Sequence, residues 1–130
     1  MAIHNDFGKW GEQYVAEQLA RIAPVTAGEA VELRLGDVEI EVKTARPSLC
    51  DERGAVGFQF CLHRAGRKGV QGQVVVCLCV RPKALKVTAF VIPVTALGTR
   101  RKVRLPLDVE GYEGIWARYR DAWDVLALSN

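Results

Sequence analysis

At 130 residues, 49% of them hydrophobic and 25% charged, the chain has the length of one domain and the composition of an ordinary soluble globular protein. No stretch approaches a membrane span, and the N-terminal MAIHNDFGKWGEQ lacks the apolar core of a signal peptide, so a cytoplasmic location with no membrane partner is expected. The net charge of +3 permits an anionic partner without requiring one.

Asn5 or Asp6 is placed to cap a helix running to about Ile22 and ended by Pro24. Phe7, Trp10, Tyr14, Val15, Leu19 and Ile22 recur at helical spacing and form its expected buried stripe. Glu12 falls near the edge of that stripe, where an acid can reach a site beside a sheet; the helix dipole alone also favours a first-turn glutamate. Gly8 and Gly11 weaken the helix start, and either close packing or a close approach of phosphate would account for them.

Residues 30–46, AVELRLGDVEIEVKTAR, alternate strictly between apolar and polar, the pattern of strands with one buried face. Gly36 and Asp37 suit a two-residue hairpin turn, since Gly accepts positive φ and Asp tolerates it. With that turn, Leu35 pairs with Val38, Arg34 with Glu39, Leu33 with Ile40 and Glu32 with Glu41, always like against like in polarity. Glu32 and Glu41 then become cross-strand neighbours about 5 Å apart at Cβ, and Lys43 projects from the same face. Facing carboxylates destabilise a sheet unless something lies between them, and a hard divalent cation such as Mg²⁺ suits two carboxylates. An ammonium beside it would hold an attacking water or stabilise charge on a phosphoryl oxygen. The alternative is a solvated face on which Arg34 and Lys43 neutralise the glutamates.

Residues 47–57, PSLCDERGAVG, read as a loop leaving the acidic strand. Phe58, Phe60 and Leu62 alternate with Gln59 and Cys61 in a third strand, with Gln59 directed away from the aromatic face. Residues 63–73, HRAGRKGVQGQ, form a basic segment in which His63, Arg64, Arg67 and Lys68 suit phosphate contacts without sequence preference. Residues 74–80 are a β-branched apolar run and the expected central strand. A turn at Arg81, Pro82 and Lys83, a strand over 86–92 and a short helical turn over 94–97 follow. Arg100, Arg101, Lys102 and Arg104 form a second basic cluster around an edge strand, where such charges also discourage edge pairing. Tyr112, Ile115, Trp116, Tyr119, Trp123 and Leu126 recur at helical spacing and predict a C-terminal helix over 111–128. Cys50, Cys61, Cys77 and Cys79 include no C-x-x-C pair and read as buried, reduced thiols; Cys77 and Cys79 share a strand face that His63 could in principle join at a metal, but the absence of metal-ligand spacing elsewhere argues against zinc.

Glu41-Val42-Lys43, preceded by a hairpin that carries an acid, resembles the core of the PD-(D/E)XK nuclease superfamily. The context VEIEVKTAR and the helical opening GKWGEQYVAEQLA, with Gly11-Glu12, are similar to the corresponding elements of its small members. The resemblance covers roughly the first third of the chain. It implies that Glu41 is the second acid, Lys43 the catalytic lysine and Glu12 the helix glutamate. The first acid, usually Asp in that family, falls to Glu32, with Asp37 in reserve. Glu32, Glu41 and Glu12 would hold Mg²⁺ (or Mn²⁺), while His63, Arg64, Arg67, Lys68, Gln59 and Arg46 would contact DNA. The implied protein is a single domain over 1–130 with an α+β, restriction-endonuclease-like sandwich: an N-terminal helix, a central hairpin in a mixed sheet and a C-terminal helix. The implied activity is metal-dependent DNA hydrolysis, with Holliday-junction resolution by a homodimer as one subclass. The alternative is a nucleic-acid-binding or assembly module on the same fold with an inactive site.

Overall fold

The alternation around the hairpin and the β-branched run of residues 74–80 together dictate a sheet, and the computed structural model builds it. It describes residues 3–21, 25–26, 33–35, 38–62, 73–124 and 126. Helix α1 (Ile3–Leu19) precedes β1 (Val25–Thr26), β2 (Leu33–Leu35), β3 (Val38–Ala45), β4 (Ser48–Leu49) and β5 (Val56–Cys61). Then come β6 (Val74–Arg81), β7 (Lys86–Pro93), the single turn α2 (Val94–Leu97) and β8 (Lys102–Pro106). Five strands form a first sheet in the order β1-β2-β3-β6-β7, and β4-β5-β8 form a second. The fold is thus α+β with two sheets and a helix.

The hairpin register is the predicted one: Leu33 faces Ile40, Arg34 faces Glu39 and Leu35 faces Val38. The turn residues Gly36 and Asp37, and Glu32, the expected partner of Glu41 one step further, lie outside the described residues. β3 and β6 run parallel while the other pairs of the first sheet are antiparallel, so the sheet is mixed. A parallel pair needs a crossover, and this one carries β4 and β5 into the second sheet. The basic segment expected within it, His63 to Lys68, is also outside the described residues.

Two apolar layers follow from the pleat of β3 and β6. Val38, Ile40, Val42, Val74, Val76 and Leu78 face Val15 and Leu19 of α1. Val75, Cys77 and Cys79 face Phe58, Phe60, Val103 and Leu105 of the second sheet. With a layer on each side, every residue from Val74 to Val80 is buried, and β6 lies between β3 and β7 as an interior strand. Each fully buried large apolar side chain contributes roughly 1.5–3 kcal/mol, so these two layers supply the main driving force. Among the described residues no helix is long and apolar enough to cross a membrane.

Four sequence expectations are corrected. Asn5 and Asp6 lie inside α1, which already includes Ile3, rather than capping it. Trp10 is 42% exposed instead of buried. The buried line of α1 runs Gly11, Val15, Leu19, because a glycine at 11 lets the helix sit directly on Thr44 and rotates Trp10 to the margin. Of the four cysteines only Cys77 and Cys79 are buried; Cys61 occupies the outward alternate position of β5 and Cys50 the β4–β5 turn.

The fourth is the C-terminal helix. Over Gly111 to Trp123 the chain is irregular, with one 3₁₀ turn at Ala117–Tyr119 and helical geometry only at Asp124 and Leu126 among the described residues. Trp116, with Tyr112 and Tyr119, packs in the layer of the second sheet, whereas Ala122, Trp123 and Leu126 pack in the layer of α1. The segment therefore crosses the edge of β7. There Arg120 bridges Phe90, the Asp121 N–H donates to the Ala89 carbonyl at 2.7 Å, and Asp121 adopts φ of 50°. A non-glycine residue in that region cannot continue an α-helix, and the crossing covers an otherwise open sheet edge.

Candidate functional site

β3 presents its two faces to different surroundings. Val38, Ile40 and Val42 lie under α1, and Glu39, Glu41, Lys43 and Ala45 project from the opposite face, toward the layer containing Cys77 and the second sheet. In the parallel register Glu41 lies beside Val75 and Lys43 beside Cys77. Glu41 is fully buried, Lys43 keeps 20% of its side chain exposed, and the Lys43 ammonium stands 3.0 Å from Oε2 of Glu41. The solvated-face alternative fits one pair only: Arg34 and Glu39, both partly exposed, meet at 3.1 Å. Glu41 does not fit it, because taking a carboxylate wholly out of water costs several kcal/mol that an exposed pair never incurs. A charge kept at that cost inside an apolar strand is a candidate for chemistry.

The neighbour across the strand was not foreseen as part of this site. Burial pushes the Cys77 thiol far above its ordinary range, with Lys43 pulling it down and Glu41 pushing it up. Cys77 therefore stays a neutral thiol and forms an inert wall beside the pair. Its position at the register partner of Lys43 is knowable only once β3 and β6 are known to pair in parallel.

The remaining sequence candidates fall in several places. Glu12 is half-buried on α1, which packs on the face of Val42 and Thr44 rather than that of Glu41. Gly11, beside it, has a packing role: a Cβ there would come within 2.1 Å of Thr44 Oγ1 and 3.4 Å of Leu78 Cδ1. Arg46 is exposed and lays its guanidinium over the Phe7 ring, 4.1 Å from the centroid, tying the end of β3 to α1. Gln59 is half-buried with Arg104 as its cross-strand partner, on the opposite face of β5 from Phe58 and Phe60 and so away from Glu41. Glu32, Asp37, His63, Arg64, Arg67 and Lys68 lie outside the described residues. Among the described residues no three His, Cys, Asp or Glu side chains converge in a metal-holding group.

A second ionic cluster, at the far end of β6 and β7, had no sequence signal because its members are scattered. Arg81 donates to both carboxylate oxygens of Glu110, Lys86 lies 3.2 Å from Oε1, and Thr88 Oγ1 is 3.5 Å from Oε2. The Arg81 hydrogen bond holds the Glu110 carboxyl below its usual range.

No protein-family model and no curated protein matches the sequence. The fold is similar to a solved structure of a bacterial homing endonuclease, I-Ssp6803I, with a TM-score of 0.69 over 98% of this chain and 95% of that one, at 13% sequence identity. The likeness is one of fold: two sheets and a helix in an arrangement similar to that of this endonuclease.

Proposed function

We propose that this chain is a metal-dependent endodeoxyribonuclease of the PD-(D/E)XK superfamily, built as a single domain over residues 1–130. The observation that carries the proposal is the Glu41–Lys43 pair: a fully buried carboxylate 3.0 Å from a partly exposed ammonium. It occurs on a fold shared with an endonuclease.

The donor chemistry suits a hard divalent cation such as Mg²⁺ or Mn²⁺, since a buried carboxylate is an oxygen ligand already stripped of its water. Glu41 would hold it, with Glu32 as the first acid and Asp37 in reserve; Glu12, on the helix that packs against the other face of β3, falls outside that set. When bound, the cation supplies Lewis acidity toward a phosphoryl oxygen and a bound water of lowered pKa. Lys43 does the rest of the local electrostatic work. Its ammonium balances the Glu41 charge in the free protein, and its 20% exposure leaves it able to reach a phosphoryl oxygen or an attacking water at the margin of the site. The buried layer around Cys77 excludes water from behind the pair, which strengthens both interactions. Arg46, and the segment with His63, Arg64, Arg67 and Lys68, would neutralise backbone phosphates without reading bases. The substrate is DNA, with branched or otherwise structured forms as the favoured subclass and a homodimer as the assembly that cuts two strands symmetrically.

A labelled DNA panel of single-stranded, duplex, nicked, flapped and four-way-junction forms tests this, in Mg²⁺, Mn²⁺ or EDTA. Glu41→Ala and Lys43→Ala proteins run alongside. Cutting that needs the cation and is lost in both variants is the expected result. Absence of cutting on every form, with no Mg²⁺ or Mn²⁺ binding by calorimetry, would overturn it in favour of an inactive nucleic-acid-binding or assembly module, for which the Glu at the first acid position is the motive.

A further inference from the structure

The second sheet has one face turned to the core and one turned away. Phe58 and Phe60 of β5 and Val103 and Leu105 of β8 point inward. The outward positions are Gln59 and Cys61 on β5, paired in register with Arg104 and Lys102 on β8. Lys102 and Arg104 are exposed, and exposed Arg101 adjoins them at the strand end, its carbonyl accepting from the Leu62 N–H at 2.8 Å.

The charges on this face are distinctive in being unbalanced. Elsewhere the described cations of the sheets are matched by acids: Arg34 by Glu39, Lys43 by Glu41, Arg81 and Lys86 by Glu110. Among the described residues Arg101, Lys102 and Arg104 are in no ion pair, and no outward position of β5 or β8 carries an acid. A merely solvated face mixes both signs. Arg100, by contrast, is engaged, stacked 5.2 Å from the Trp116 ring and bonded to the Leu97 carbonyl, so it belongs to packing. Alternate residues of a strand are about 6.7 Å apart, close to two axial phosphate steps of one B-form strand. Gln59 adds a neutral donor beside Arg104, its cross-strand partner.

We propose that this outward face, centred on Lys102, Arg104 and Gln59 with Arg101 at its end, docks the phosphate backbone of DNA. It is a positioning surface separate from the Glu41 strand. Its choice of DNA as the polyanion rests on the nuclease reading above.

The test measures binding of the full chain to a fluorescent DNA duplex by anisotropy across a salt series in EDTA, so that no cutting intervenes. The variant is Lys102→Gln/Arg104→Gln. A charge-matched control, Lys9→Gln/Lys83→Gln, removes two exposed lysines elsewhere. The expected result is a salt slope lower by about 1.8, at roughly 0.9 per lost phosphate contact, with about tenfold weaker binding at moderate salt and a control close to wild type. Equal losses in variant and control would reduce the effect to net charge and overturn the proposal. So would a variant that binds as wild type while light scattering reports aggregation, which is the signature of edge protection alone. If the wild type cuts DNA and the variant binds unchanged, the docking face falls and the nuclease reading survives. If the wild type cuts no DNA form in Mg²⁺ or Mn²⁺ yet binds the duplex in EDTA, and the variant loses that binding, the docking face stands and the nuclease reading falls. Wild-type binding to phosphatidylserine vesicles but not to DNA overturns the choice of partner.

Discussion

Replacing Lys43 by methionine tests whether Glu41 is held in its buried position as an ion. At 3.0 Å and an effective dielectric constant near 20, Coulomb's law gives about 5.5 kcal/mol of attraction between the two groups. Desolvation offsets several kcal/mol of that, leaving a net coupling of about 1–3 kcal/mol. Because the Lys43 side chain retains 20% exposure, Lys43→Met is expected to cost about 3 kcal/mol, the low end of the range for breaking a buried pair. Glu41→Gln removes the charge that requires the ammonium and lets Lys43 turn toward water, at a cost of about 1 kcal/mol. The double variant should be more stable than the sum of the single losses implies, and that difference is the coupling. Urea unfolding followed by tryptophan fluorescence on the four proteins measures it. A Lys43→Met protein within about 0.5 kcal/mol of wild type would refute the idea that an ionised Glu41 depends on Lys43.

Acid stability should depend on Glu110. Its folded carboxyl is held below the ordinary value of 4.5, chiefly by the Arg81 hydrogen bond, so it stabilises the fold above about pH 4.5 and loses that contribution as pH falls through the lower folded value. Glu110→Gln should lower the urea midpoint above about pH 4.5 and flatten the acid limb of its profile, bringing variant and wild type together at low pH. Gly57→Ala brings a Cβ to 2.4 Å from the Leu105 carbonyl oxygen, a backbone atom that cannot swing aside. A cost of about 2–3 kcal/mol, or roughly 10 °C in melting temperature, should appear by calorimetry. Thiol titration of the native protein should label exposed Cys61 quickly and reach Cys77 and Cys79 only on unfolding, since burial pushes both of those thiols up. Rapid native labelling of Cys77 would contradict the packing of the wall beside Glu41.

The hairpin was legible because two independent signals agree on it: the alternation of residues 33–42 and a turn pair that permits one register. α2 was legible from Pro93, whose fixed φ starts a helical turn at Val94. The second sheet was not. Alternation in residues 58–62 announces a strand with one buried face but says nothing of its partner, and β5 pairs with β8, far along the chain. The C-terminal segment misled because aromatic residues three and four apart serve a helix and also a chain that packs first on one side of a sheet and then on the other. At the site, the acid and lysine on one strand face were readable from their spacing, whereas the complete burial of Glu41 depends on β6 and the second sheet. The reason for Gly11 likewise required Thr44 to be placed beneath it.

The parallel pairing of β3 with β6 also fixes a timetable. On a ribosome the hairpin strand is complete once Ala45 has emerged, but β6 begins at Val74 and the strands covering the Glu41 face extend to Pro106. At ~5–20 residues per second that interval is roughly 3–12 s. Throughout it the Glu41 carboxylate remains hydrated and its geometry with Lys43 unfixed. The nascent acidic strand is thus an ordinary charged hairpin, and any affinity it acquires belongs to the finished chain. Translation arrested before β8 should yield a polypeptide that carries every residue of the Glu41–Lys43 pair and none of its preorganisation.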